Sequence, residues 1–186
     1  VIVEKMAEKW SKKYPNSPLK REFYNKLYDV IKKMKCEIDV KHFNKKEYNS
    51  IVEQTMDEVI AILAGESELN PRAKNRLYHG LFQLAADPLV DAKNWAVKHK
   101  VQGVNSKLTI AQFSTLSGEQ QLDYLVAYIG KAREYSKIPS SVSISPAQLW
   151  AMVKYPFKGK NQNLIKTKAD SIQKVFKRNK IEHGID

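Results

Sequence analysis

A single cysteine, Cys36, excludes an intrachain disulfide. Long apolar runs are also missing. The longest, Val59–Ala64, falls far short of the ~20 residues a membrane-spanning helix needs, and no signal-type apolar core follows Val1. An opening without Met is expected either of Met processing or of a domain cut from a longer protein. Four histidines, His42, His79, His99 and His183, are scattered without paired spacing and have no cysteine cluster to join them, so no metal site is expected. No strand-turn-helix nucleophile elbow supports a Ser/His/Asp hydrolase. Seven glycines and seven prolines in 186 residues are too few for a turn-rich sandwich or barrel. Internal repeats and low-complexity tracts are absent.

What is present points to helices and to polyanions. The chain is 42% hydrophobic, enough for one substantial core, and its 32 Lys+Arg against 20 Asp+Glu give a net charge of +12. Nucleic acid, anionic lipid and anionic cell-wall polymers are the partner classes that such a charge attracts.

Apolar residues at spacings of three and four predict an all-α chain. Val3, Met6, Ala7 and Trp10 mark a first helix over 2–14. Ser17-Pro18 reads as the N-cap and first-turn proline of a second, ending near Lys35. Residues 36–45 have no clear period. From Glu47 a wide stripe of Tyr48, Ile51, Val52, Met56, Val59, Ile60 and Leu63 predicts the clearest helix, followed by a loop over 67–79. Residues 81–100 read as helical with a kink at Asp87-Pro88. Thr109/Gln112 and Ser117/Gln120 are capping-box spacings, the second opening a helix through Ala132. Ser145-Pro146 starts another through Trp150, and Ile165, Ala169, Ile172 and Phe176 mark a last, Lys-rich one. The expected organisation is an N-terminal helical extension (1–45) packed on a main domain (46–157), with a basic C-terminal helix (158–186).

The stretch that carries chemistry begins where the apolar helix ends, at Gly65-Glu66-Ser67. Glu66 follows Leu63 by three residues and Val59 by seven, so its carboxyl lies on or beside the buried face. Desolvation and the negative end of the helix dipole both favour a protonated carboxyl there. A carboxyl that keeps its proton near neutral pH can donate it to a leaving oxygen. A glutamate in a frayed last turn with no such role has the same local sequence.

Glu66-Ser67-x-x-Asn70-Pro71-x-Ala73, followed by Gly80-Leu81-Phe82-Gln83-Leu84, resembles the two-block signature of the soluble lytic transglycosylase family of the lysozyme-like superfamily. Gln121-Leu122-Asp123-Tyr124-Leu125 is similar to a stretch of its phage-encoded members. The resemblance covers residues 47–135 and extends to 157 at most. It implies a lysozyme-like helical domain that cuts the β-1,4 bond between N-acetylmuramic acid and N-acetylglucosamine in peptidoglycan, without a cofactor and without membrane insertion. Glu66 is implied as the single acid/base, leaving a 1,6-anhydro sugar. The acetamido group of the substrate stabilises the anomeric carbon, which removes the need for a second enzyme carboxylate.

By the same resemblance Ser67 hydrogen-bonds near the catalytic site or to the substrate, and Asn70-Pro71 shapes the loop; a polar residue at the helix C-terminus is the alternative reading of Ser67. Gly80 admits the glycan to the backbone, Gln83 binds a sugar amide, and Phe82 lines the cleft or fills core. The family's third block, Ala-Tyr-Asn-Ala-Gly, has no clear counterpart. Ala127-Tyr128-Ile129-Gly130 has a similar outline without the Asn, and Leu149–Pro156 is placed to take the block's position, so Tyr128 or Tyr155 is expected to orient Glu66, a structural aromatic being the alternative for each. A hydrolytic lysozyme, with Asp87, Glu119 or Asp123 positioning a water, is the alternative outcome. A basic helical protein that binds nucleic acid through residues 11–35 and 158–180 is the alternative of another class, although no recognition motif accompanies those lysines. The setting expected from the resemblance is a phage lysin or virion-associated enzyme acting on the bacterial wall.

Overall fold

The computed structural model describes residues 1–36 and 45–154 together with Asp170, and only the backbone of 45–48. Tyr155, His42, His183 and, apart from Asp170, the expected basic helix over 158–186 lie outside the described residues. Within them the fold is all-α apart from one short hairpin. Its elements are α1 (Ile2–Lys13), α2 (Arg21–Lys33), α3 (Lys45–Ser67), β1 (Lys74–Asn75), β2 (Tyr78–His79), α4 (Ala86–His99), α5 (Ile110–Phe113), α6 (Gly118–Ser136) and α7 (Pro146–Lys154).

Helix starts follow their capping chemistry. Thr109 and Gln112 form a reciprocal capping box at α5, and Ser117 and Gln120 form another at α6. At α7 the Ser145 hydroxyl accepts from Gln148 N at 3.1 Å. Ser17 does not cap α2 as its spacing predicts. Its hydroxyl donates to Leu69 O at 2.6 Å, and α2 begins four residues later behind Lys20, without a side-chain cap. Nor does a helix start at residue 81. There the chain turns and bridges back, with His79 N donating to Leu84 O at 2.9 Å and Leu84 N to His79 O at 2.8 Å. The helix α4 starts at Ala86, which puts Pro88 in its first turn, where a missing N–H breaks no bond and no kink is needed.

One core runs from Met6 on α1 to Met152 on α7, with Trp10, Tyr24, Phe82, Phe113 and Tyr124 among its largest fully buried members. The central element is α6, packed against α2, α4 and α7. On the far side α1 meets α3 through Asp57, only 5% exposed, whose two oxygens take Trp10 Nε1 at 2.9 Å and Lys9 Nζ at 2.6 Å. A buried carboxylate with both oxygens bonded is tolerated where an unpaired one is not.

Burial raises the Tyr24 phenol to about 12 and moves Tyr128 in the same direction. Below pH 10 both states hold these protons. Above it the unfolded chain releases them while the folded chain does not, so folding stability falls from about pH 10 upward, by about 1.4 kcal/mol per pH unit for each tyrosine. Urea unfolding at a series of pH values from about 9 to about 12 checks this, with Tyr24→Phe expected to flatten the fall.

Candidate active site

The end of α3 is fixed by its own side chains. The Ser67 hydroxyl turns back and donates to Leu63 O at 2.9 Å, and Glu68 N donates to Ala64 O at 2.8 Å. Glu68 and Leu69 then adopt left-handed φ values of 54° and 57°, which reverse the chain. Leu69 is fully buried, and that burial holds the turn in place without a glycine. Ser67 is therefore a helix-terminal residue here, bonded within its own helix.

Glu66 projects from this last turn with a side chain only 10% exposed. Both of its partners among the described residues lie on α7. The Trp150 indole Nε1–H donates to Glu66 Oε1 at 3.2 Å, and Lys154 Nζ lies 2.8 Å from Oε2. One turn separates Trp150 from Lys154, so both face the carboxyl from one side of α7. Asp87, Glu119 and Asp123 are not among the partners of Glu66. Asp123 is bound to Lys26 of α2 at 2.9 Å, and the same lysine donates to Glu119 O at 2.7 Å, which ties α2 to α6.

Tyr128 does not orient Glu66 directly. Its buried hydroxyl donates toward two carbonyls of α7, Met152 O at 3.0 Å and Val153 O at 2.9 Å. It thus holds the helix end that carries Trp150 and Lys154, and acts on Glu66 through α7. Its ring packs against Phe82 at 6.3 Å, and Phe82 meets Phe113 edge-on at 5.6 Å, so Phe82 fills core and does not line an open cleft. Asp87 at the start of α4 lines a shallow groove of about 250 Å³ with Asp91, Tyr128, Lys131 and Tyr135.

The two motif blocks are joined by Gln121, a residue whose role the sequence does not announce. It is fully buried on α6. Its Oε1 accepts from Leu81 N at 2.9 Å, while Nε2 donates to Pro71 O at 2.7 Å and faces Phe113 O and Leu116 O, each at 3.2 Å. Asn70 shapes the first block as expected, its Oδ1 accepting from Arg72 N at 3.0 Å. Gly80 has φ 81°, and a Cβ there would lie 2.5 Å from the Phe113 ring and 2.6 Å from Gln121 Oε1. Its missing side chain makes room for protein packing, not for a glycan at that point. Gln83, half-buried, donates from Nε2 to Gly80 O at 2.9 Å and to Ala73 O at 3.4 Å, bracing the same turn.

No group of three His, Cys, Asp or Glu among the described residues could hold a metal ion. No helix among them is long and apolar enough to cross a membrane. No protein-family model, curated protein or solved structure matches the chain at a significant level. What the site offers chemically is one nearly enclosed carboxyl, an indole donor and a lysine, with a turn of chain braced by Gln83 and Gln121 following it.

Proposed function

We propose that this chain is a peptidoglycan lytic transglycosylase with Glu66 as its only acid/base. The observation that carries the reading is a carboxyl at the end of the apolar helix α3, set between two α7 side chains and with no second carboxylate bonded to it among the described residues. In the first step protonated Glu66 gives its proton to the glycosidic oxygen. The bond to the anomeric carbon breaks, and the acetamido oxygen of the muramoyl residue closes on that carbon. In the second step the Glu66 carboxylate takes the proton of the C6 hydroxyl, O6 attacks the anomeric carbon and the acetamido is released. Atoms balance without water, and Glu66 ends protonated as it began.

Lys154 has to yield its contact before Glu66 can donate, and the arriving leaving-group oxygen competes for the same carboxyl. Trp150 stays as the donor that fixes the carboxyl plane. The net charge of +12 holds the protein near anionic wall polymers. The setting we infer is a phage-encoded enzyme that opens the bacterial wall.

Mass analysis of the soluble products from purified peptidoglycan tests the reaction. Muropeptides one water lighter than those of a lysozyme digest are expected. Hydrated reducing ends would make the chain a muramidase using the same glutamate, and no release at all would overturn the wall-cleaving reading in favour of a basic binding protein.

A further inference from the structure

The hairpin between the two motif blocks has a surface that folding does not account for. Arg72, Lys74 and Arg76 are exposed, and none of them has an acidic partner among the described residues. At the tip, Leu77 is 76% exposed and Tyr78 is 50% exposed. Arg76 holds a left-handed φ of 56°, a conformation that glycine takes freely and an arginine does not. The two-residue loop Arg76-Leu77 needs a positive φ to close the hairpin, and the chain places an exposed arginine there in place of the glycine or asparagine that would close it at less cost.

The arm that presents this tip is firmly based. Lys74 pairs with His79 and Asn75 with Tyr78 across the hairpin, and Gly80 N donates to Ala73 O at 2.8 Å. Gln83 braces Ala73 and Gly80, and Gln121 holds Pro71. Arg72 is six residues from Glu66 along the chain, so their Cα atoms lie within about 20 Å of each other whatever path the chain takes.

From this juxtaposition we propose that Arg72, Lys74, Arg76 and Tyr78 form a receptor for the acidic peptide stems that branch from the muramoyl sugars. The inference rests on the peptidoglycan reading above and deepens it. Peptide stems offer free carboxylates beside small apolar side chains, which matches cations set beside an exposed leucine and tyrosine. A phosphate polymer would need the charges alone and would leave Leu77 and Tyr78 unexplained.

The test uses the full chain carrying Glu66→Gln, so that the wall survives the assay. Binding is measured on peptidoglycan freed of secondary polymers and fixed to a solid support, and on glycan strands fixed to the same support after an amidase has removed their peptides. Arg76→Gly is expected to raise Tm by about 2–4 °C while weakening binding to the peptide-bearing wall several-fold. The triple change Arg72→Gln, Lys74→Gln, Arg76→Gln is expected to weaken it about tenfold, and neither variant should alter binding to stripped glycan. Unchanged binding by the triple variant, or an equal loss on stripped glycan, would overturn the proposal. So would a loss that appears only when anionic wall polymers are left in place. Failure of the parental chain to bind either preparation would instead overturn the peptidoglycan reading, and the receptor with it.

Discussion

Glu66→Gln is expected to lower the rate of muropeptide release by about 10²- to 10⁴-fold, equivalent to roughly 3–5 kcal/mol of lost transition-state stabilisation. The substitution is a narrow one. The amide oxygen still accepts from Trp150 Nε1, now 3.2 Å from Glu66 Oε1, and the volume beside α7 is unchanged. What disappears is the capacity to give and take a proton, together with the ion pair with Lys154 Nζ at 2.8 Å. That pair is partly exposed on the lysine side, 38% against 10% for the glutamate, so its loss should cost about 1 kcal/mol of stability or less. The measurement sets Tm beside the rate of release of soluble muropeptides. A large rate loss with a small Tm change identifies an acid/base. A fall in Tm with activity retained would show that Glu66 serves only to fasten α3 to α7, and the catalytic assignment would be wrong.

That this choice needs an experiment follows from what a linear sequence can carry. The helices were legible because each is written locally, in apolar spacing and in capping boxes such as Ser117 with Gln120. The site was legible only in part. The position of Glu66 at a helix end is local, but its partner Trp150 is 84 residues away and reads as an ordinary core-facing aromatic. The sharp reversal after α3 falls on Glu68 and Leu69, which give none of the usual turn signals, because burial of Leu69 holds the left-handed backbone. Gly80, Phe82 and Gln83 occupy motif positions, yet their neighbours Phe113 and Gln121 give them packing and bracing roles that no motif spells out. The hairpin escaped because each of its strands is two residues long, too short for any period to register.

Arg133 shows the same limit and yields the second large effect. On α6 it is only 7% exposed and bonds carbonyls from two other segments, a role that no local spacing announces. Its Nη1 donates to Pro139 O at 2.9 Å and Val142 O at 2.8 Å, and its Nη2 to Met34 O at 2.7 Å, with Lys35 O at 3.5 Å. Only a planar fork reaches the C-terminal end of α2 and the loop before α7 together. Arg133→Met fills a similar volume and leaves those carbonyls without their donor, at about 1–3 kcal/mol for each that stays dry. Water will reach some of them, so a net loss of about 3 kcal/mol is expected, near 6–12 °C in Tm for a chain of this size. Lys at this position keeps the charge without the fork and should fall between the two. The loop that Arg133 grips delivers α7, and α7 brings Trp150 and Lys154 to Glu66. Ile144 N, bonded to Lys35 O at 3.0 Å in the bridge between Cys36 and Ile144, still joins that loop to the end of α2 in the variant. Activity measured well below the lowered Tm, where the variant is still folded, should therefore drop as well, through kcat more than KM. A variant that melts earlier but turns over normally while folded would show that Arg133 supports the fold without steering α7.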